Sequence, residues 1–237
     1  ALDCALWDLR CKQAGQSIFE LLELRPEPLR TVFTIGLEEP AVMAERAAAA
    51  ATLPHLKIKL DGDRPIERLE AIRAARPDAQ LVVDVNQGWS FDELREYLPA
   101  CERLGVAMIE QPLARGKDEA LDGFVSPVPL GADESCLHLG EFPGVADRYQ
   151  VLNIKLDKCG GLTEGLALAR AAKEAGMDLM VGNMTGSSLS MAPSFVIGLQ
   201  CRFVDIDGPL LQAQDIDNGM HYGAGGMVQP PTPALWG

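Results

Sequence analysis

Residues 81–89 read LVVDVNQGW, a stretch in which an acid follows an apolar run. The run at 81–83 is typical of a buried β-strand, whose side chains alternate between two faces. Asp84 and Asn86 therefore share one face of this strand. A carboxylate is seldom withdrawn from water unless a cation, a metal ion or several hydrogen-bond donors compensate its charge. The stretch thus predicts a buried strand whose carboxyl end carries a functional group.

The same construction recurs along the chain, because five more apolar runs carry an ionisable residue at or near their carboxyl ends. These runs are HLKIKL from His55, VAMIEQP from Val106, LGADES from Leu130, VLNIKL from Val151 and FVDIDGP from Phe203. A single acid of this kind more often caps the following helix than serves as a ligand. Six such endings form a pattern, which favours a shared site built from strand ends.

Predicted strands alternate with helical segments over most of the chain. Strands are predicted at 31–36, 55–60, 81–86, 106–112, 128–135, 151–156, 178–183 and 202–209. Helices are predicted at 1–24 with a break at Gly15, 41–53, 65–75, 92–104, 163–175 and 188–199, with weaker patterns at 117–124 and 139–146. Apolar strands alternating with helices favour a parallel sheet, and eight strands favour closure into a TIM-like (β/α) barrel. An open doubly wound sheet is the alternative, but the Gly-rich turn expected after its first strand is missing.

Composition and charge limit the classes of partner. The 237 residues include 21 Lys and Arg against 34 Asp and Glu, so the net charge is -13. Such a surface repels phosphate backbones and anionic lipid, which argues against nucleic-acid and membrane partners. No apolar run reaches the roughly 18 to 20 residues of a membrane span. The six cysteines form no CxxC pair, which is typical of reduced thiols in a cytoplasmic protein.

In a barrel of this kind the active site lies at the carboxyl ends of the strands. The ionisable residues there are Lys57 and Lys59 on the second strand, Asp84, Glu110 and Asp133 on the third to fifth, Lys155 on the sixth, and Asp205 and Asp207 on the eighth. Three crowded carboxylates cannot all ionise without a cation, and oxygen ligands suit Mg²⁺ or Mn²⁺. The second and sixth strands of a closed ring of eight face each other, so their lysines are expected to oppose one another. Asp205 and Asp207 would then hold a positive group of the ligand.

Other polar residues are interpreted as solvent-exposed or turn residues without a functional role. Lys158 lies beyond its strand and is interpreted as a solvated side chain. Asp61 and Asp63 lack the downstream ligands of a calcium loop, so a turn is predicted there. The region from 218 to 237 is rich in Gly and Pro and is predicted to be a surface segment.

The motifs resemble those of a known family. KIK at 57–59, DVNQGW from Asp84, IEQP from Ile109, ADES from Ala132 and NIKLDKCGG from Asn153 are similar to motifs of the muconate-lactonising subgroup of the enolase superfamily. The resemblance implies a modified (β/α)7β barrel. It implies that Asp84, Glu110 and Asp133 bind Mg²⁺ and that Lys59 and Lys155 are acid/base catalysts, with Lys57 in the substrate-binding group. The segment VDIDGPLL, with Asp205 and Asp207, resembles the DxD motif of dipeptide epimerases such as those acting on L-Ala-D/L-Glu, where it holds the substrate's α-ammonium group.

The resemblance also implies a domain organisation. The opening ALDCALWDLRCKQAG is similar to the segment that leads from the family's N-terminal α+β capping domain into its barrel. We therefore expect a linker helix at 1–25, a catalytic barrel at 26–215 and a C-terminal segment at 216–237, with the capping domain absent from this chain.

The predicted function is Mg²⁺-dependent epimerisation of dipeptides, in which one lysine removes the α-proton and the other returns it through a metal-stabilised enolate. An N-acylamino acid racemase, an o-succinylbenzoate synthase or a muconate cycloisomerase would use the same metal and lysines. Their substrates lack a free α-ammonium group, however, and would have no use for two acids on the eighth strand. A non-catalytic barrel is the alternative from another class. The expected partner is a small dipeptide, and assembly into a homo-oligomer is left open.

Overall fold

The computed structural model describes residues 1–237 as an α/β fold. Its strands are β1 (Leu29–Arg30), β2 (Phe33–Ile35), β3 (His55–Lys59), β4 (Gln80–Asp84), β5 (Val106–Glu110), β6 (Leu130–Ala132), β7 (Val151–Lys155), β8 (Asp178–Gly182), β9 (Phe203–Val204) and β10 (Met227–Val228). Its α-helices are α1 (Leu2–Ala14), α2 (Ile18–Leu21), α3 (Pro40–Ala49), α4 (Pro65–Ala75), α5 (Phe91–Arg103), α6 (Leu156–Cys159), α7 (Leu162–Glu174) and α8 (Ser188–Gly198). Short 3₁₀ helices span Asp118–Leu121, Leu139–Gly144, Gly208–Leu211 and Ala224–Gly226.

Strands β2 to β9 form one eight-stranded parallel sheet, in which each strand is bonded to the next along the chain. The register of β3, β4 and β5 sets Lys59 opposite Asp84 and Asp84 opposite Glu110. Glu110 in turn pairs with Gly131 of β6. The predicted eight-stranded parallel sheet is confirmed, and its register brings the ionisable strand ends of neighbouring strands to the same level.

The residues divide into two compact units. The first unit comprises residues 1–31, 137–142 and 153–237, and the second comprises residues 32–136 and 143–152. The domain boundaries predicted from the sequence, after residues 25 and 215, remain a prediction.

Helix α5 shows how the second unit connects its strands. Ser90 precedes the helix, and its hydroxyl accepts a hydrogen bond from the backbone N–H of Glu93, while the Glu93 carboxylate accepts one from the N–H of Ser90. This reciprocal capping satisfies two of the N–H groups that a helix start leaves unpaired. Leu94, Leu98 and Cys101 recur on one face of α5 and are buried. Helix α5 begins at Phe91, so the loop that follows Asp84 at the end of β4 is short.

In the first unit, α1 is joined to the start of α7 by side-chain hydrogen bonds. The Asp3 carboxylate accepts from the backbone N–H of Thr163 at 3.0 Å and from its hydroxyl at 2.6 Å. The indole N–H of Trp7 donates to the same hydroxyl at 2.9 Å. Asp3 thus acts as a cap supplied from a distant part of the chain, since the α7 start brings no capping side chain of its own.

Several local predictions are confirmed and others are corrected. The weak helical patterns at 117–124 and 139–146 form 3₁₀ turns, and α6 was not predicted. A turn at Asp61 is confirmed, because its carboxylate accepts from the N–H of Asp63 at 2.9 Å. No helix combines the length and apolar character that crossing a membrane requires.

The prediction of a surface segment at 218–237 is wrong in part. Strand β10 pairs antiparallel with β1, which forms a small second sheet. Val228 and Trp236 are buried, and the indole N–H of Trp236 donates to the carbonyl of Cys4 at 2.8 Å. Two-residue strands carry too few side chains for alternation to reveal them in the sequence.

Candidate active site

The carboxyl ends of β3, β4 and β5 bring four predicted site residues together in the second unit. The Nζ atom of Lys57 lies 3.0 Å from Oδ2 of Asp84 and 2.8 Å from Oε2 of Glu110. The Nζ atom of Lys59 lies 2.6 Å from the same Asp84 oxygen and 2.8 Å from Oδ1 of Asn86. Two ammonium groups therefore surround Asp84, and one of them also compensates Glu110.

The two lysines differ in their access to solvent. Both lie on one face of β3, as the period of two predicts. The Lys57 side chain is only 2% exposed, whereas that of Lys59 is 31% exposed. Lys57 is therefore committed to the buried carboxylates, whereas Lys59 is anchored by Asp84 and Asn86 and remains open to a ligand.

Asp133 follows β6 directly and is almost fully buried. Its backbone N–H donates to Oε1 of Gln111 at 2.8 Å, and the N–H of Ser135 donates to the same oxygen at 3.1 Å. Gln111 itself follows Glu110 at the end of β5. One buried glutamine side chain therefore ties the end of β5 to the segment that carries Asp133.

The nitrogen of this glutamine belongs to a wider polar network. Nε2 of Gln111 donates to the carbonyl of Leu113 and to the hydroxyl of Ser135, each at 2.8 Å. The Ser135 hydroxyl donates to Asp118 at 2.8 Å, and the Tyr149 hydroxyl donates to the same carboxylate. Burial, together with the bond to Asp118, raises the pKa of Tyr149 far above its ordinary value. The network is thus a frame of hydroxyl, amide and carboxylate groups that contacts the segment carrying Asp133.

Gln111 was not among the predicted site residues. Its backbone has a φ of 39°, which is uncommon for a residue with a side chain. The signal available in the sequence was a long polar side chain placed between a buried strand end and Pro112. That signal does not show which backbone groups the amide would satisfy.

The second unit contains buried oxygen donors of the type that a hard divalent cation prefers. Asp84, Glu110 and Asp133 are each no more than 1% exposed, and they supply the oxygen ligands that Mg²⁺ prefers. No group of three His, Cys, Asp or Glu side chains is arranged closely enough to hold a metal ion. The predicted metal-ligand role of these three carboxylates therefore remains a proposal.

Lys155 ends β7 and belongs to the first unit. It is 7% exposed, and Asn153, two residues earlier on the same face of the strand, is 2% exposed. Both side chains lie against Gly182 at the end of β8. Lys158, interpreted from the sequence as a solvated side chain, is in the short helix α6 that follows Lys155.

Asp205 and Asp207 follow β9, also in the first unit, and both are largely buried. The backbone between them is held on two sides. The N–H of Ile206 donates to the hydroxyl of Thr31 at 3.0 Å, and the Tyr222 hydroxyl donates to the carbonyl of Ile206 at 2.7 Å. Burial, with the charges of Asp215 and Asp207 adding to it, raises the pKa of Tyr222 far above its ordinary value. Tyr222 is therefore a neutral donor that fixes the segment carrying both acids.

The fold and these residues define the family. Residues 40–233 match the family described as enolase C-terminal domain-like, and the chain belongs to that family. It is 44% identical to an N-acetyl-D-glutamate racemase from Pseudoalteromonas sp, with 100% of this chain and 75% of the relative covered. It is 42% identical to the L-Ala-D/L-Glu epimerase of Escherichia coli K12, with 95% of this chain and 71% of the relative covered. Racemases and epimerases are isomerases.

Solved structures agree with this assignment. An enolase family member from Agrobacterium tumefaciens with homology to dipeptide epimerases, solved with sodium and L-Ala-L-Glu, has a TM-score of 0.94 and 44% identity, covering 100% of this chain and 73% of that one. A dipeptide epimerase from Cytophaga hutchinsonii complexed with Mg and D-Ala-L-Val has a TM-score of 0.90 and 27% identity, covering 96% of this chain and 66% of that one. The resemblance to the enolase superfamily that the sequence motifs indicated is confirmed.

Proposed function

We propose that this chain epimerises dipeptides of the L-Ala-D/L-Glu type at the α-carbon of the second residue, with a divalent metal ion as cofactor. The observation that carries the proposal is the cluster of Lys57, Lys59, Asp84 and Glu110 at adjacent strand ends, in which only Lys59 is open to solvent. A chain that kept its sheet only for structure would be more stable with apolar residues at these positions. The similarity to the Escherichia coli epimerase supports the same reaction.

Asp84, Glu110 and Asp133 would hold the metal ion, with Mg²⁺ favoured and Mn²⁺ as the alternative. When bound, the ion supplies positive charge beside a substrate carboxylate, which becomes more negative as the α-proton leaves. This charge develops in the transition state, so its compensation lowers the barrier and does not merely tighten ground-state binding.

Lys59 and Lys155 would exchange the proton with the α-carbon. Lys59 is positioned by Asp84 and Asn86, so its amine reaches the ligand in a fixed direction. One amine would remove the α-proton from one face of the carbon, and the other would return a proton to the opposite face. This exchange inverts the configuration of the α-carbon. Closure of the parallel sheet into a (β/α)7β barrel would supply such an arrangement, and we include it in the proposal. Lys57 would contribute to substrate binding through its positive charge, which its contacts with Asp84 and Glu110 hold in place.

Asp205 and Asp207 would bind the α-ammonium group of the dipeptide. Their buried position, with the backbone fixed by Thr31 and Tyr222, suits a charge-assisted contact with a cation. This role separates the dipeptide from N-acyl amino acids, which carry no positive group.

A second candidate substrate is N-acetylglutamate, because one relative with 44% identity over the whole chain is an N-acetyl-D-glutamate racemase. Both candidates are N-acylated glutamates that share the reacting α-carbon and the side-chain carboxylate. They differ in the acyl group, because the alanyl group of the dipeptide has one more carbon than the acetyl group and carries an ammonium group.

The experiment compares L-Ala-L-Glu and N-acetyl-L-glutamate as substrates, following inversion by chiral chromatography with and without Mg²⁺. We expect Mg²⁺-dependent inversion with a higher kcat/KM for the dipeptide. A higher value for N-acetylglutamate would favour the second candidate. Absence of inversion with either substrate, together with a melting temperature that Mg²⁺ and Mn²⁺ leave unchanged, would support a non-catalytic chain.

The proposal also covers the cellular compartment and the partners of the chain. All six cysteines are free thiols, which is consistent with the reducing cytoplasm proposed for it. The partner is a small dipeptide, and nucleic acid and membrane are disfavoured by the net charge of -13.

A further inference from the structure

Gly182 ends β8 at a point where other side chains occupy the space that a side chain of its own would need. A Cβ atom built on Gly182 would lie 2.7 Å from Cε of Lys155. It would also lie 2.8 Å from Oδ1 and 2.9 Å from Nδ2 of Asn153. All three distances are shorter than a carbon atom tolerates, so any other residue at 182 displaces its neighbours.

We propose that the missing side chain at Gly182 sets the position of the Lys155 amine, which makes Gly182 a positioning residue for one of the two bases. The inference rests on the proposed two-base function of Lys59 and Lys155. The backbone conformation of Gly182 does not explain why glycine occupies this position, because its φ lies outside the left-handed region that favours glycine.

The displacement caused by a methyl group falls mainly on Lys155. Asn153 is an amide side chain with two side-chain torsions, enclosed in the interior of the first unit at 2% exposure. Lys155 has four side-chain torsions, so rotating its stem is the less costly response. The atom in closest contact is Cε, which carries the reacting nitrogen. The adjustment that preserves the fold is therefore the one that moves the amine.

A small displacement of this amine is expected to have a large kinetic effect. A proton-transfer group must lie within about 2.6 to 3.2 Å of the proton's donor atom or accept it through a water. A misplacement of about 1 Å costs on the order of 100-fold in rate. Because only the Lys155 amine is displaced, the rate of α-proton exchange should fall for one stereoisomer of the substrate and not for the other.

The test is Gly182→Ala, with α-proton exchange followed by NMR in deuterated water from L-Ala-L-Glu and L-Ala-D-Glu separately. Lys155→Ala first identifies the isomer whose exchange depends on Lys155. For that isomer we expect Gly182→Ala to lower the exchange rate about 100-fold. Exchange of the other isomer, and the affinity for Mn²⁺ measured by EPR, should stay within about threefold of the parent protein.

A double variant tests whether the glycine acts through the lysine. Gly182→Ala combined with Lys155→Ala should exchange no more slowly than Lys155→Ala alone, because residues that act on one step are not additive. Gly144→Ala is the matched control, since a Cβ there meets nothing within 4 Å. That substitution should leave both exchange rates unchanged.

If Gly182→Ala does not fold, the same assay is applied after adding Asn153→Ala, which removes the contacts with the amide and keeps the contact with Lys155 Cε. Equal loss of exchange from both isomers, or no loss from either, would overturn the positioning role. If Lys155→Ala is defective and Gly182→Ala is normal, only this inference fails. If Lys155→Ala itself is normal with both isomers, the proposed two-base function fails.

Discussion

The Nζ atom of Lys57 lies 2.8 Å from Oε2 of Glu110, and both side chains are almost completely withdrawn from solvent. The same nitrogen lies 3.0 Å from Asp84, so one ammonium group separates two buried carboxylates. Removing it would take away the positive charge that lies beside both carboxylates, while Lys59 would remain beside Asp84. The contact therefore makes Lys57 a structural requirement of the cluster as well as a member of the proposed substrate site.

We expect Lys57→Met to lower the free energy of unfolding by about 3–5 kcal/mol, because breaking a buried pair leaves uncompensated charge. Urea denaturation measures this loss. Arg103→Met is the control, since its ion pair with Glu70 has a similar distance of 2.8 Å but side chains 60% and 50% exposed. That change should cost less than about 1 kcal/mol. Similar small losses in both variants would contradict a stabilising role for the buried lysine.

Gln111→Ala should weaken metal binding. The substitution removes the acceptor that holds the N–H groups of Asp133 and Ser135, so Asp133 loses its fixed direction. Loss of such supporting contacts typically costs 10- to 100-fold in affinity, and we expect that range for Mn²⁺ measured by EPR. Gln150→Ala is matched to it, because the Gln150 side chain accepts from the N–H of Leu130, three residues before Asp133. Equal effects of the two glutamine substitutions would argue against the proposed link.

Asp205→Asn should discriminate between the two candidate substrates. A hydrogen bond between charged groups contributes about 1.5–3 kcal/mol, which corresponds to roughly 10- to 150-fold in binding. We expect the KM for L-Ala-L-Glu to rise by about that factor, because the ammonium group loses a negative partner. Steady-state kinetics with N-acetyl-L-glutamate serve as the control, since that compound has no ammonium group to lose. An equal rise for both compounds would exclude the proposed contact.

Asp215 predicts a pH-dependent contribution to stability. Burial raises the pKa of its carboxyl, but the hydrogen bonds donated by the Ser188 side chain and by the backbone of Ser188 and Ile216 outweigh it, and the pKa is lowered. A lowered pKa means that the stabilisation is present above the unfolded value of about 3.9 and is lost as pH falls through the folded value. Because Ser188 begins α8, we expect Asp215→Ala to cost about 1 kcal/mol at pH 7.

The measurement is urea denaturation of both proteins between pH 7 and pH 3. The difference between them should stay constant down to about pH 4 and shrink below it. Asp217→Ala, two residues away on an exposed stretch, should show no such trend. A difference that grows as the pH falls would show the opposite sign and exclude this explanation.

The sequence was sufficient to predict the strands and to place Lys57, Lys59, Asp84 and Glu110 at neighbouring strand ends, whereas their roles in metal binding and catalysis remain proposals. Alternation of apolar runs with helical segments predicted all eight strands of the parallel sheet, because buried parallel strands are continuous apolar runs. The period of two then placed Lys57 and Lys59 on one face, and both are found beside Asp84.

Features that depend on distant contacts could not be predicted in the same way. The pairing of β1 with β10 joins residues about 200 positions apart through strands of two residues, which carry no periodicity. Gln111 and Tyr222 are each bonded to backbone groups of other segments, and no local pattern specifies those partners. Gly182 has an ordinary backbone conformation, so only the positions of Asn153 and Lys155 reveal why a side chain is excluded there.

In the proposed mechanism, two lysines exchange one α-proton from opposite faces of the carbon. Single-turnover exchange in deuterated water, with Lys59→Ala and Lys155→Ala each tested on both isomers of Ala-Glu, examines it most directly. We expect neither variant to invert the centre, and each to retain exchange from one isomer only, with the retained isomer differing between the two. Exchange from both isomers after removal of either lysine would contradict the two-base account.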